Sequence, residues 1–116
     1  GFGAMAALAL KKELAQGYFC GDDVISIGAM TALNRAGKNV PDEVGLLGFN
    51  NMEISGWENV RLTTIAQPLA EIINISVERV KAALAGGNDY SRTVTLLPCR
   101  VVERDTLPPI DPSKRR

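Results

Sequence analysis

The chain has 116 residues, the size of one domain or of a piece of a larger one. Hydrophobic residues make up 46% of it and aromatics only 5%, so its core is built from Ala, Leu, Ile and Val; this suits an α/β sheet packed by Ala-rich helices better than an aromatic-rich sandwich. The 13 basic and 13 acidic residues cancel and there is no histidine; the balance lacks the basic excess of a DNA-reading module, and the missing histidine removes the commonest general base and metal ligand.

Gly1-Phe2-Gly3 enters an Ala/Leu-rich stretch without an initiator Met or a signal peptide, so the chain is expected to begin inside a domain, with something missing upstream. Residues 5–15 have strong helical propensity, with Lys11, Lys12 and Glu13 marking a wet face and Gly17 a stop. Tyr18-Phe19-Cys20 is a short apolar run of the kind a central parallel strand shows. Gly21-Asp22-Asp23 breaks it. Residues 24–36 predict a second helix with an Asp at its N-cap, ended by Gly37. Pro41-Asp42-Glu43 reads as a turn. Residues 44–49 (VGLLGF) predict a second buried strand, followed directly by Asn50-Asn51.

Residues 62–66 (LTTIA) are a third strand candidate, rich in β-branched side chains. Pro68 then opens an amphipathic helix to about Leu84, with Leu69, Ile72, Ile73, Val77, Val80 and Leu84 at the helical period. Residues 85–89 form a loop. Residues 93–97 and 100–103 are strand-like, split by Pro98, and Leu107-Pro108-Pro109 leads into a tail. The tail ends in Lys114-Arg115-Arg116, the one basic cluster, which reads as solvated.

Cys20 and Cys99 each sit in an apolar run, too far apart in sequence for a metal-ligand pattern. They read as two buried free thiols in a reducing cytosol, with a disulfide between them the less favoured alternative. No apolar run is long enough to form a transmembrane helix.

The first three strands look parallel and buried, and in such sheets ligands bind at the carboxyl ends of the strands. Two short polar loops lie at those ends: Asp22-Asp23 after the first strand and Asn50-Asn51 after the second. Adjacent aspartates at a helix start point apart and do not form a catalytic pair. The chain also lacks a GxGxxG phosphate loop and a Gly-x-Ser-x-Gly elbow.

Four segments, in order and spacing, carry a family resemblance: Phe19-Cys20-Gly21-Asp22-Asp23 with Gly28-Ala29; Val40-Pro41-Asp42-Glu43-Val44 with Gly48-Phe49-Asn50-Asn51; Leu62-Thr63-Thr64-Ile65 with Gln67-Pro68-Leu69; and Leu97-Pro98 with Val102-Glu103-Arg104-Asp105. From about residue 2 to 109 the chain resembles the C-terminal half of the effector domain of LacI/GalR transcription regulators. The resemblance implies an α/β fold: a three-layer, parallel-sheet, Rossmann-like C-terminal subdomain of a periplasmic-binding-protein-like fold. It would span residues 1–109, incomplete at its N-terminus, with a tail over 110–116. It implies a cytoplasmic module that senses a small-molecule effector, a sugar or sugar acid, and forms a homodimer. It implies no cofactor, no metal, no enzyme activity and no membrane partner. Operator DNA would be reached only through an N-terminal helix-turn-helix that this chain does not contain.

On that resemblance Asp22 matches the family's usual Asn after the strand, and Asn50 its common ligand-binding Asp. Acid and amide have exchanged places. Gln67 matches a position that contacts sugars in some members. Each has a plainer reading as well: Asp22 as a helix cap, Asn50 as a turn residue tolerant of the left-handed region, Gln67 as a cap before Pro68. Asp23 matches a frequent Asp, which an N-cap explains equally well. The helix over 24–36 carries two apolar stripes. Ile25, Ala29, Ala32, Leu33 and Ala36 suit the sheet. Val24, Ile27 and Met30, with Trp57 from a later loop, match the family's dimer interface, unless another part of the same chain covers them. The rival reading is a periplasmic sugar-binding protein of a transport system; the Val-Pro-Asp-Glu and Leu-Thr-Thr-Ile-x-Gln-Pro pieces favour the regulator.

Overall fold

Short apolar runs bounded by Gly and by Asp or Asn pairs fold here as parallel strands joined through helices. The computed structural model describes residues 1–11, 14–86, 94–109 and 113. They divide into two compact units, Gly1–Ala66 with Val101–Arg116, and Gln67–Arg100. The sequence reading runs one subdomain through residue 109. Of the tail, only Ser113 falls within the described residues.

The first unit holds α1 (Phe2–Leu10), β1 (Gly17–Phe19), α2 (Asp23–Arg35), β2 (Gly45–Phe49), a 3₁₀ turn (Glu53–Gly56) and β3 (Thr64–Ala66). With β4 (Arg100–Val102) the strands form one sheet in the order β1-β2-β3-β4. As expected, β1, β2 and β3 are parallel, with Tyr18 opposite Leu46 and Gly48 opposite Thr64. The α/β, parallel-sheet class read from the sequence is what the chain adopts.

Side chains alternate across a strand, so Leu46 and Gly48 share the face that meets α2. Met5, Cys20, Ala29, Ala32, Leu33, Val44, Leu46 and Leu62 make the core there. Gly48 is required by the close approach: a Cβ at that position would collide with Asp23 Oδ1 and the Leu62 side chain. Gly28 does the same between helices, where a Cβ would stand 3.0 Å from the Phe2 nitrogen on α1.

α1 runs over Phe2–Leu10, not 5–15. Its first bond is Met5 N–H to the Gly1 carbonyl, and the Ala15 amide donates to the Tyr18 hydroxyl at 2.9 Å, away from any helical acceptor. Lys12 and Glu13, on the expected wet face, lie outside the described residues. β3 begins at Thr64 because the Leu62 and Thr63 amides donate elsewhere, to the Ser55 carbonyl and the Thr106 hydroxyl, both at 2.9 Å.

The buried side of α2 is Asp23, Ser26, Ala29, Ala32 and Leu33, whereas Ile25 and Ala36 are exposed. Two polar residues replace two apolar ones there because the bare Gly48 leaves room and Thr64 supplies a partner.

In the second unit, α3 spans Leu69–Leu84 with Pro68 at its N-cap, and the Arg79 guanidinium donates to Thr95 Oγ1 at 2.5 Å. Residues 94–97 form no strand, contrary to expectation, and Val94 and Leu96 are exposed. A strand is completed by a neighbour's hydrogen bonds, and no edge is offered among the described residues of this unit. Cys99 is therefore exposed, not buried as expected; Cys20 is buried, and both thiols are free. Thr93 and the loop over 87–89 lie outside the described residues. Among the described residues no helix is long and apolar enough to cross a membrane.

Candidate functional site

Parallel pairing brings the carboxyl ends of β1 and β2 side by side, and the two polar loops meet there. Asp22 caps α2: it is extended (φ −160°), and its Oδ1 accepts the Val24 N–H at 2.8 Å. Its other oxygen, Oδ2, accepts from Asn50 Nδ2 at 2.8 Å. One oxygen of the carboxylate thus caps the helix, as the plainer reading has it, and the other meets Asn50. Both Asp22 and Asn50 are half-buried.

The turn after β2 has an unusual backbone. Asn50 has φ 102° and Asn51 φ 49°, a region that Asn enters more readily than other non-glycine residues because its short side chain can hydrogen-bond locally. The Asn50 N–H continues the strand ladder to the Ile65 carbonyl at 2.8 Å. The Asn51 N–H donates to Thr64 Oγ1 at 3.3 Å, and its side-chain oxygen accepts from Arg104 Nη2 at 2.9 Å.

Asp23 points away from Asp22. It is fully buried, with Oδ1 accepting the Thr64 hydroxyl at 2.5 Å and Oδ2 the Met52 N–H at 2.7 Å. It is a latch between α2, β3 and the turn after β2, which rules out the N-cap, one of the two readings that the sequence left open for it.

Arg104 bonds to Asn51 beside the Asp22–Asn50 pair, a placement that the sequence reading does not give it. Its guanidinium reaches Ser55 Oγ at 3.1 Å, the Leu62 carbonyl at 2.8 Å and Asn51 Oδ1 at 2.9 Å, and its own N–H donates to Thr63 Oγ1 at 2.9 Å. In sequence it is one member of the charged run Glu103-Arg104-Asp105 just past Val101-Val102, which does not single it out.

The structure brings Asp22 and Asn50 together. Gln67 directly follows β3 and opens the second unit, where its carbonyl accepts the Leu69 N–H at 2.9 Å. Of the expected interface residues, Val24 and Trp57 are exposed, at 57% and 53%. Ile27 is half-buried, and Met30 packs against the core.

Chemically, the pair offers a carboxylate, which only accepts, beside an amide, which donates and accepts. That combination suits a ligand edge of mixed donors and acceptors. Among the described residues no three His, Cys, Asp or Glu are grouped to hold a metal. The resolved pKa shifts lie elsewhere. The Lys38 ammonium and the Asn39 amide beside Glu43 hold its carboxyl below the usual range, and the Arg61 guanidinium does the same to Asp105.

A family model described as the periplasmic binding protein-like domain matches residues 2–107. The ribose operon repressor of Haemophilus influenzae is 31% identical over 84 residues, covering 72% of this chain and 25% of that protein. The HTH-type transcriptional repressor PurR of the same species is 32% identical over 96 residues, covering 79% and 29%. The chain therefore spans less than a third of the length of these relatives. Among solved structures, a dimeric Lac repressor with a C-terminal deletion aligns at TM-score 0.78 and 25% identity over 91% of this chain and 38% of that one. A LacI family transcriptional regulator from Arthrobacter in complex with lactose aligns at TM-score 0.77 over 91% and 40%, a likeness at 24% identity that shows the fold alone.

Proposed function

The chain belongs to the periplasmic binding protein-like domain family, alongside LacI-type repressors, and from that premise we propose that it is the effector-sensing portion of a transcriptional repressor, its effector a sugar or sugar acid held by Asp22 and Asn50. The observation that carries this reading is the Asp22–Asn50 hydrogen bond at the carboxyl ends of β1 and β2, where open parallel sheets bind ligands.

A sugar hydroxyl donates to the Asp22 carboxylate, and a neighbouring hydroxyl exchanges donor and acceptor roles with the Asn50 amide. Ligand binding then replaces the internal bond between the two side chains with bonds to the ligand. Gln67, which opens the second unit, is a separate candidate for ligand contact. A ribose operon repressor among the relatives supports a carbohydrate. The named relatives are repressors, which does not favour the transport-protein alternative.

Dimerisation is part of the same proposal, through Val24, Ile27, Met30 and Trp57. Half-buried Ile27 and exposed Trp57 are its anchors, since large apolar and aromatic residues dominate interface energetics. DNA contact belongs to a part of the regulator other than this chain. Calorimetric titration of the intact regulator with D-ribose, lactose and D-gluconate tests the reading: saturable binding of at least one, weakened by Asp22→Ala, supports it, and binding unaffected by that change rejects it.

A further inference from the structure

Asn50 is the half of the ligand pair that is hardest to place. It sits at φ 102°, and the next residue, Asn51, is also left-handed at φ 49°. Two successive non-glycine residues in that region persist only when their surroundings over-determine them. The backbone supplies part of that constraint through the Asn50 bond to the Ile65 carbonyl and the Asn51 bond to Thr64 Oγ1. A further part comes from a residue 53 positions away in sequence.

Arg104 enters from the segment after β4 and spreads its two terminal nitrogens over three separate pieces of chain. Nη2 donates to the Asn51 side chain, and Nη1 to Ser55 Oγ in the 3₁₀ turn and to the Leu62 carbonyl ahead of β3. Ser55 is itself fully buried and donates to the Met52 carbonyl at 2.6 Å. The planar guanidinium is a rigid fork, so the Asn51 side chain is fixed relative to both ends of the loop between β2 and β3. The base of the fork is pinned by the Arg104 amide on Thr63 Oγ1. We propose that Arg104 is the positioning residue of the ligand pair: by clamping Asn51 it holds the turn that presents the Asn50 amide to Asp22.

This deepens the ligand-site reading and rests on it for its functional meaning, but its primary test needs no ligand. In the ¹⁵N-labelled chain the Asn50 side-chain amide, assigned by its loss in Asn50→Asp, reports the bond to the Asp22 carboxylate through a downfield proton shift. Two variants cut the clamp. Arg104→Gln removes the fork. Asn51→Gly removes only its acceptor, and glycine accepts the positive φ. Thr106→Val is the control. The Thr106 hydroxyl accepts the Thr63 N–H and donates to the Leu46 carbonyl, so its loss destabilises the same region without touching Asn51.

The proposal expects the Asn50 downfield shift to be lost in Arg104→Gln and in Asn51→Gly and kept in Thr106→Val, whatever the thermal midpoints. A shift kept in both clamp variants overturns it, as does a shift lost equally in the control. For whichever of D-ribose, lactose or D-gluconate binds the wild type, both clamp variants bind roughly tenfold more weakly and the control does not. Failure of all three sugars to bind counts against the ligand reading and leaves the amide signal to decide the clamp.

Discussion

Asn50 Nδ2 donates to Asp22 Oδ2 at 2.8 Å, joining the turn after β2 to the first residue of the α2 cap across 28 positions of sequence. A half-buried bond of this kind to a charged acceptor couples the two residues energetically by about 0.5–3 kcal/mol. A double-mutant cycle of Asp22→Ala and Asn50→Ala in denaturant unfolding should return a coupling in that range. Asp22→Ala alone should also cost about 0.5–2 kcal/mol through the lost cap on Val24, so Asp22→Asn, which keeps a capping oxygen, should cost less. Additive single effects would show that the bond contributes nothing to stability.

Gly48→Ala should destabilise the first unit by about 1–3 kcal/mol, the usual scale of overpacking. The new methyl would meet Asp23 Oδ1 and Leu62. The carboxylate cannot swing aside without losing its bonds to Thr64 and Met52. Urea unfolding of the variant checks this, and an unchanged midpoint would show that α2 does not approach the sheet so closely.

Acid should weaken the fold in part through Glu43 and Asp105, which are paired with Lys38 and Arg61. Both carboxyls have pKa values lowered in the folded chain. Their contribution is therefore fully present above the unfolded values, near pH 4, and is lost as pH falls through the lower folded values. The thermal midpoint should drop between about pH 5 and pH 3, and Asp105→Asn should flatten part of that drop. Both pairs are solvent-exposed, so the effect is small and shrinks further in salt. A midpoint that rises on acidification would contradict the sign.

Ile27→Glu places a charge on the proposed dimer face, beside exposed Val24. If that face joins two copies, the desolvation of the new carboxylate should cost on the order of several kcal/mol of association, and light scattering of the intact regulator should fall from dimer to monomer. An unchanged dimer mass removes α2 from the interface.

What was legible in the sequence is what neighbours in sequence decide. The apolar runs at Tyr18–Cys20 and at 44–49, their Gly and Asp/Asn punctuation and the Asp at the α2 cap are local features, and the parallel order of β1, β2 and β3 follows from them. So does the location of Asp22 and Asn50 at strand ends. What was not legible depends on distant partners. Asp23 reads as a cap until Thr64 and Met52 are seen to bind its carboxylate. Arg104 has no role in sequence because its acceptors at Asn51, Ser55 and Leu62 lie 42 to 53 positions away. Residues 94–97 have the alternation of a strand but no edge to pair with among the described residues of their unit. The exchange of acid and amide is visible in the residues; that the two side chains bond to each other is not.

The most direct test of the account is a calorimetric titration of the intact regulator with D-ribose, lactose and D-gluconate, run on the wild type, Asn50→Ala, and the double exchange Asp22→Asn with Asn50→Asp. The account predicts that Asn50→Ala weakens the bound sugar by roughly 10- to 100-fold, the equivalent of about 1–3 kcal/mol for one buried polar group left unpaired. It predicts that the double exchange keeps the thermal midpoint while changing which ligand is preferred. Equal affinity and equal preference in all three proteins would contradict it, and would leave Asp22 and Asn50 as a cap and a turn.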